Sequence, residues 1–488
     1  MRGGYATLPR VTDVDSSTPA PPDAAAPALT ADDLLRHTGG RLLARSSRPI
    51  RGAAVDSRLV VPGNLFVALP GERTDGHDHL PQAIERGAAA VLVTRPLDDA
   101  AELGDVTVVR VADGRAALGA VAAGWRRRFT PLVVGITGSI AKTSTKEAAA
   151  AVLGAARRTL RTEGNMNNEI GLPLTLLRLG PEHEAAVLEM GMYVGGEIAE
   201  LAAMAAPSIG VVTAVQPVHL SRIGSLEAVE RAKGELLEAL PADGAAILNE
   251  DDPIVARMDG RSVARALRYG FVGTAQVRAE AVTSAGVDGM RFQLKTPAGE
   301  RAVAIPVPGR LSAHNALAGA AVGLAAGLDL DTIAKALEGG WAAPHRAELV
   351  RLRGATIVDD SYNASPGSVL AALELLSGLP GRRVAVLGTM LELGDGHEPG
   401  HVTVGEAAGR TVELLVVVGP EAHGIVSGAR AAGLDARRIH HVEDAEAALD
   451  VVRPRLRDGD SVLVKASRGI GLDRLVDGLR LELGEASR

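Results

Sequence analysis

The chain of 488 residues contains no cysteine, which excludes disulfide bonds, thiolate metal sites and cysteine nucleophiles. It also lacks any apolar run of the roughly 20 residues that a membrane-spanning helix needs, so we expect no membrane span. The net charge of −7 argues against a nucleic-acid-binding protein, which needs a basic face. Residues 1–30 have no apolar core and are rich in Pro, Ala and Asp, so we predict a disordered tail and not a signal peptide. A cytoplasmic location is the resulting expectation.

Lysine is scarce as well. The chain has 52 Lys plus Arg residues, but the only lysines are Lys142, Lys146, Lys233, Lys295, Lys335 and Lys465. Where arginine is used almost everywhere, a remaining lysine indicates a task that a permanently charged guanidinium cannot perform. The alternative is that codon usage alone has removed the other lysines.

The apolar fraction of 46% and the charged fraction of 23% describe a globular protein, and 488 residues exceed what one core normally holds. Short apolar runs alternate with helical stretches, which is typical of an α/β protein with mostly parallel sheets. Between about residues 265 and 308 the pattern changes to period two and predicts a small antiparallel appendage. We predict a tail (1–30) and three domains with the boundaries 31–129, 130–346 and 347–488.

The stretch GITGSIAKTSTKE, residues 135–147, lies between an apolar run and an Ala-rich helical stretch. A strand, a turn and a helix in this order form an anion site, because free backbone N–H groups and the helix dipole point at the phosphates. We expect Lys142 to reach the phosphates of ATP and the Thr143 hydroxyl to hold Mg²⁺. The predicted cradle consists of Gly138, Ser139, Ala141, Lys142, Thr143 and Ser144. The alternative is an ordinary strand–turn–helix without a ligand.

Ala141 stands where a phosphate loop normally has glycine. A residue that enters a helix can have a negative φ, so we expect alanine to be accepted there.

Two more polar residues follow the phosphate loop in positions that suit a metal site. Glu189 ends one predicted strand and His219 follows the next, and the carboxyl ends of neighbouring parallel strands meet at one edge of a sheet. Each residue alone is equally consistent with a structural role. Lys233 lies inside an amphipathic helix, where the simplest interpretation is a surface lysine paired with Glu230, three residues earlier.

The segment HEPGH, residues 397–401, fits the zinc-protease pattern H-E-x-x-H. That pattern needs a helix, which Pro399 and Gly400 are expected to break, so we expect no zinc hydrolase.

Nine segments occur in an order that is typical of one family: VDSR…PGNLFVALPGERTDGHDHLPQAIERGAAAVLV, TGSIAKTSTKE, NMNNEIGLPLTLL, LEMG, RAKGELL, NEDDP, DDSYNASPGSVLAAL, LGTMLELG and VKASRG. Together they resemble the Mur ligase superfamily, and within it the members that add D-Ala-D-Ala to UDP-MurNAc-tripeptide. The resemblance extends from about residue 50 to the C-terminus. It implies a UDP-substrate domain, a central P-loop ATPase domain and a C-terminal Rossmann-like domain, acting as a monomeric ATP-dependent ligase of peptidoglycan synthesis.

The resemblance also implies roles for individual residues. Thr143 and Glu189 would hold a first Mg²⁺, and a second would be held by His219 and by a carbamate on Lys233. The nucleotide would contact Asn315, Arg346 and Asp360. The UDP-substrate and the acceptor side would be lined by Asp56, Ser57, Arg58, Asn165, Asn167, Asn168, Tyr362 and Asn363. The expected catalytic residues are Lys142, His219 and Lys233, and the expected acyl phosphate requires no nucleophile from the enzyme.

The chain departs from the family pattern near the nucleotide. Ala141 and His345 replace glycines, and Leu311 and Ser312 stand where His-Asn is usual. Two alternatives therefore remain at this point: a nucleotide-binding homologue without turnover, and a ligase of the same fold that uses another amine.

Overall fold

The computed structural model of the chain describes residues 27–71, 74–97, 100–217 and 223–485. The first 26 residues of the predicted tail lie outside these ranges. The chain divides into two compact units: Met1–Pro131 with Leu160–Leu188 and Glu200–Ala206, and Leu132–Thr159 with Glu189–Ala199 and Pro207–Arg488. Within the described ranges, no helix combines the length and the apolar character that a membrane crossing requires.

The first unit contains a five-stranded sheet in the order β1-β5-β4-β3-β2. Its strands are Arg41–Ala44 (β1), Ala53–Ala54 (β2), Leu65–Val67 (β3), Ala90–Val93 (β4) and Thr107–Arg110 (β5). Strand β1 is antiparallel to β5, and the other pairs are parallel. The α-helices of this unit are Ala31–Thr38, Leu80–Glu85, Gly114–Arg126 and Gly171–Leu176. Three elements contain residues of both units: Thr159–Arg161 (β7), Ala185–Glu189 (β8) and the helix Glu197–Ala205.

In the second unit, seven strands follow one another in the order β14-β13-β12-β11-β10-β9-β6. They are Leu132–Thr137 (β6), Ile209–Val212 (β9), Ala245–Asn249 (β10), Arg265–Gly270 (β11), Val277–Ser284 (β12), Met290–Thr296 (β13) and Gly299–Ile305 (β14). Pairing is parallel from β6 to β12 and antiparallel from β12 to β14, which confirms the predicted appendage. The helices in this part are Lys142–Gly154, Leu226–Glu238, Arg310–Ala325 and Leu330–Glu338.

The remainder of the second unit contains a six-stranded sheet in the order β15-β16-β20-β17-β18-β19. Its strands are Glu348–Leu352 (β15), Ala355–Asp359 (β16), Arg383–Gly388 (β17), Leu414–Val418 (β18), Ile439–Val442 (β19) and Asp460–Lys465 (β20). Only β15 is antiparallel to its neighbour. The helices are Pro366–Ser377, His397–Thr411, His423–Ala431, Ala445–Val452 and Asp473–Leu483.

Apolar side chains cover both faces of this C-terminal sheet. Alternate residues of a strand pack into two separate cores, as Ile357 and Val358 of β16 do. Continuous apolar strands of this kind are typical of parallel sheets with helices on both sides. The fold is therefore α/β, as predicted, and the carboxyl ends of its parallel strands are the places where polar groups collect.

Candidate active site

The loop after β6 is fixed by the end of the neighbouring strand β9. The Ser139 N–H donates to the carbonyl of Ala214 at 2.8 Å, and the Thr213 hydroxyl donates to the carbonyl of Ile140 at 2.6 Å. The Ser139 hydroxyl donates to the carbonyl of Gln216 at 3.1 Å. A side chain at Gly138 would collide with Thr213, since an added Cβ would lie 1.8 Å from its hydroxyl oxygen. These contacts hold the loop in place at the N-terminus of the helix Lys142–Gly154.

Ala141 differs from our expectation. It precedes the helix with φ 64° and ψ 0°, which is the left-handed conformation, so the expected negative φ is wrong. Ala141 is the last residue of the turn that the contacts of Ser139 and Ile140 fix on the end of β9. Alanine therefore occupies a glycine conformation at this position.

Lys142, Thr143 and Glu189 come together at the start of the helix. The Thr143 hydroxyl donates to the Glu189 carboxylate at 2.8 Å, and both side chains are buried. The Lys142 ammonium donates to the carbonyl of Gly138 at 2.8 Å. Burial lowers the pKa of Lys142, the charge of Arg346 lowers it further, and the charge of Glu189 opposes the shift. The sequence motif and the strand end are thus adjacent in space.

Lys233 is buried and not paired with Glu230, which contradicts its interpretation as a surface lysine. Only 3% of the residue is exposed, and the structure gives its amine no hydrogen-bond or ion-pair partner within the described ranges. Glu230 instead pairs with Arg257 at 2.6 Å. Burial lowers the pKa of Lys233 well below its usual value, and the charge of Lys142 adds to this shift. His219, the residue predicted to act beside Lys233, lies outside the described residues.

The carboxyl ends of the adjacent strands β16 and β20 contribute a second group of polar residues. Asp360 pairs with Lys465 at 2.6 Å and accepts a hydrogen bond from the Ala347 N–H at 3.2 Å. Burial raises the pKa of Asp360, while Lys465 and Arg346 oppose this rise. Lys465 also donates to the carbonyl of Asn363 at 2.8 Å. Lys465 was not predicted as a site residue, although the scarcity of lysine was a signal for it.

Two arginines lie over the ring of Tyr362. The Arg346 guanidinium carbon is 4.1 Å from the centre of the tyrosine ring, and that of Arg468 is 5.0 Å from it. Such stacking restrains both flexible cations. Arg468 belongs to the segment VKASRG but was not predicted as a site residue.

Leu311 and Ser312, which depart from the family pattern, lie in the first turn of the helix Arg310–Ala325. The Ser312 hydroxyl donates to the carbonyl of Pro308 at 2.7 Å inside the first turn of its helix. Leu311 is 37% exposed. Asn315, predicted as a nucleotide contact, is buried and accepts a hydrogen bond from the Thr145 hydroxyl at 3.1 Å. The amide is therefore fixed by the helix that starts at the phosphate loop.

One cavity of about 1470 Å³ in the second unit joins most of these groups. Its lining includes the predicted residues Ser139, Ala141, Lys142, Thr143, Ser144, Asn315, Arg346, Asp360 and Asn363. Lys465 and Arg468 line it as well. A typical small-ligand pocket measures about 300–1,000 Å³, so this cavity has room for a nucleotide and a second substrate.

Six predicted residues belong to the first unit. Asp56 caps a short 3₁₀ helix and pairs with Arg58 at 2.6 Å, and the Ser57 hydroxyl donates to Gln82 at 2.5 Å. Asn168 accepts hydrogen bonds from two N–H groups at the start of the helix Gly171–Leu176. Asn165 is exposed, and Asn167 is half-buried.

The HEPGH segment is helical, so the reason for dismissing it was wrong. Pro399 lies in the first turn of the helix His397–Thr411, where proline is tolerated because its missing N–H needs no partner. His401 nevertheless uses both ring nitrogens: one accepts from the Met390 N–H at 2.9 Å and the other bonds the carbonyl of His397 at 2.7 Å. It contributes to the packing of the C-terminal core.

Three family models match the chain. They describe the Mur ligase family catalytic domain over residues 49–126, the Mur ligase middle domain over residues 136–323 and the Mur ligase glutamate ligase domain over residues 345–468.

Individual proteins are similar over nearly the full length. The UDP-N-acetylmuramoyl-tripeptide–D-alanyl-D-alanine ligase of Escherichia coli strain K12 is 39% identical over 437 residues, which cover 87% of this chain and 92% of that protein. A crystal structure of MurF from Acinetobacter baumannii has a TM-score of 0.83 at 30% identity and covers 94% of this chain and 100% of its own. The MurF ligase of Thermotoga maritima in complex with ADP has a TM-score of 0.77 at 29% identity, with coverages of 89% and 98%.

Proposed function

The chain belongs to the Mur ligase family, and on this premise we propose that it joins D-alanyl-D-alanine to UDP-MurNAc-tripeptide with the use of ATP, in peptidoglycan synthesis. The observation that carries the proposal is the likeness to ligases of this one activity over 87% of the chain, at 39% identity. The cavity at the phosphate loop supports ATP as the energy source, as does the similar ligase in complex with ADP.

We assign one task to each predicted domain. Residues 31–129 bind the UDP-substrate, with Asp56, Ser57 and Arg58 on the substrate side in this assignment. Residues 130–346 bind ATP, and residues 347–488 bind the amine and close the nucleotide site. Asn165, Asn167 and Asn168 belong to the acceptor side in this assignment, together with Tyr362 and Asn363. We expect a cytoplasmic monomer.

Joining a carboxylate to an amine is unfavourable in water, so the carboxylate must first attack the γ-phosphorus of ATP, which gives an acyl phosphate and releases ADP. The γ-phosphate and the attacking carboxylate bring negative charge together, and Lys142 offsets it from the start of the helix. Ser144 provides a helix N–H group for the phosphates, and Gly138 and Ser139 shape the loop around them. The amine then attacks the acyl carbon, and phosphate leaves. Burial of the reacting groups protects the acyl phosphate from water.

The residues present suit two magnesium ions, which would neutralise phosphate charge when bound. The hydroxyl of Thr143 and the carboxylate of Glu189 are oxygen ligands of the kind that Mg²⁺ prefers, and they already lie 2.8 Å apart. Lys233 is a buried amine without a partner among the described residues, and its lowered pKa favours the neutral form. A neutral amine reacts with CO₂ to give a carbamate, which would serve with His219 as the second ligand pair.

In the C-terminal domain, we assign Asp360 to the ribose of the nucleotide and Arg346 and Asn315 to its other polar groups. Lys465 holds Asp360 in place through the 2.6 Å ion pair. Without this cation, a buried carboxylate would take up a proton and lose its strength as an acceptor.

The direct test measures phosphate release by the purified chain with ATP, Mg²⁺, UDP-MurNAc-tripeptide and D-Ala-D-Ala, with mass spectrometry of the product. We expect phosphate release and a pentapeptide product only when both UDP-MurNAc-tripeptide and D-Ala-D-Ala are present. Omission of each substrate in turn is the control.

Two results would favour the alternatives. ATP binding without phosphate release in the complete mixture indicates a nucleotide-binding homologue without turnover. Release that depends on the tripeptide but requires another amine indicates a ligase with a different acceptor.

A further inference from the structure

The segment that leads into β15 has an unusual backbone on both sides of Arg346. His345 has φ 58° and Ala347 has φ 53°, and both values lie in the left-handed region that favours glycine. Two such residues around one arginine fix the direction in which its side chain leaves the backbone. A conformation of this kind persists only when its surroundings hold it.

Five hydrogen bonds hold the segment, and one of them joins the Arg346 N–H to the carbonyl of Ala343 at 3.1 Å. The His345 N–H donates to the Glu348 carboxylate at 3.0 Å, and the His345 carbonyl accepts from the Tyr362 N–H at 3.1 Å. The Ala347 N–H donates to Asp360 at 3.2 Å. The His345 side chain adds the shortest contact, 2.7 Å from Nδ1 to the Asp359 carboxylate. Among the described residues 345–347, His345 is the only one whose side chain forms a hydrogen bond with the last residue of β16.

Asp359 is a firm anchor because it is fully buried and fixed from the other side. Its second oxygen accepts from the Ser361 N–H at 3.1 Å and from the Ser361 hydroxyl at 2.6 Å. The Glu348 carboxylate is also engaged, because its other oxygen pairs with Arg480 at 3.0 Å. His345, Glu348 and Asp359 are close enough to resemble a metal cluster, but their ligand atoms already have protein partners. The contacts of these three side chains therefore fix the backbone of the segment around Arg346.

The segment places Arg346 in the lining of the cavity. Its guanidinium stacks on Tyr362 at 4.1 Å and lines the same cavity as Lys142 and Asp360. A change of φ at residue 345 would move the arginine away from this wall.

We propose that His345 is a positioning residue for the nucleotide: its protonated imidazole, anchored on Asp359, keeps the segment in the left-handed conformation that holds Arg346 at the cavity. This inference rests on the proposed function, because it assumes that Arg346 contacts ATP.

The charges around His345 favour its protonated form. The hydrogen bond to Asp359 raises the pKa of His345, burial opposes this rise, and the charges of Glu348 and Asp473 add to it. Asp477 also interacts with His345, and Arg480 neutralises Glu348. The anchoring is complete below the ordinary pKa of about 6.5 and is lost as the pH rises through the raised pKa.

The experiment compares the wild-type chain with H345N and H345A by calorimetric titration of Mg-ATP and by the ligase assay, across about pH 6 to 9. Asparagine tolerates a positive φ and carries an N–H near the position of Nδ1, but it does not titrate. Alanine keeps the backbone strain and removes the anchor. H423N serves as the matched control, since it replaces an exposed histidine paired with Glu398 at 3.3 Å.

We expect H345A to weaken ATP binding about tenfold at pH 6, the scale of one hydrogen bond to a charged group, with a rise in KM for ATP and little change in kcat. Wild-type affinity should fall with rising pH towards that of H345A, whereas H345N should bind ATP with a constant affinity. H423N should follow the wild-type curve.

Wild-type affinity in both H345A and H345N at every pH would overturn the proposal, and so would an unchanged pH profile in H345N. If H345A does not fold, the pH profile of H345N decides alone. The proposed function is tested separately. If the wild-type chain gives no ligation product, the proposed function is refuted, and the calorimetric comparison still tests the role of His345 in ATP binding.

Discussion

Replacement of Ala141 by glycine should stabilise the protein, although it removes a methyl group from a helix boundary. The left-handed conformation costs a residue with a Cβ about 1–2 kcal/mol, and φ at this position is 64°. Glycine avoids that cost but loses about 0.5–1 kcal/mol through the greater freedom of the unfolded chain. The difference leaves a gain of about 0.5–1 kcal/mol. Because Ala141 also lines the cavity, the smaller residue should leave ATP affinity unchanged or tighter.

Thermal and urea unfolding of Ala141→Gly, each with and without Mg-ATP, measure this effect. A gain of this size corresponds to a rise in Tm of about 1–4 °C for a unit of this scale. Ala206→Gly is a matched control, since Ala206 has φ 48° but lies outside the cavity lining, so it should stabilise without affecting ATP. Ala155→Gly is the opposite control, because Ala155 ends the same helix with φ −66° and its replacement should destabilise. If Ala141→Gly destabilises as much as Ala155→Gly, the strain argument is wrong.

Two further changes test other parts of the site, and a third tests the C-terminal core. Lys233→Arg should abolish ligation and preserve folding and ATP binding, because a guanidinium cannot form a carbamate; near-normal turnover would remove the carbamate from the mechanism. Lys465→Met should lower the free energy of unfolding by about 2–4 kcal/mol in urea titrations by leaving Asp360 unpaired, and Asp360→Asn should restore part of the loss; an additive double variant would contradict the coupling. Burial lowers the pKa of His401, so its stabilising contribution should be lost as the pH falls below about 6.5. The Met390 N–H needs an acceptor, which a glutamine side chain provides without titrating. His401→Gln should therefore fold, and its Tm should fall less between neutral pH and pH 5 than that of the wild type.

Local patterns predicted the parts of the fold that depend on neighbouring residues. The period-two runs from residue 277 to 305 became β12 to β14, since alternation of apolar and polar residues is itself the signal of a sheet with one solvated face. The phosphate loop was recognised because strand, turn and helix are consecutive in the chain. The conformation of Ala141 could not be predicted in this way, since the φ of a turn residue depends on where the next strand fixes the loop, and Thr213 and Ala214 are more than 70 residues away.

Pairing over long distances accounts for the other differences. Glu230 is three residues from Lys233, and a helix would allow them to meet, but Arg257 takes the carboxylate from another element. Asp360 and Lys465 meet because β16 and β20 are adjacent in the sheet, although the two residues are 105 positions apart in the chain. No periodicity contains such information, because strand order is decided by the packing of whole helices on the sheet.

The scarcity of lysine indicated buried residues that are far apart in the sequence, which no periodic pattern predicted. Lys146, Lys233 and Lys465 are buried, Lys142 lines the cavity, and only Lys295 and Lys335 have the surface positions that are usual for lysine. Selection for arginine would act on exposed positions first, where either cation serves equally well. It stops where the cation is buried against a carboxylate, as beside Asp360, or, under the proposed function, where it must lose its proton, as at Lys233. The lysines that survive a bias of this kind therefore mark interior positions, and two of the six, Lys142 and Lys465, line the cavity in which the proposed chemistry takes place.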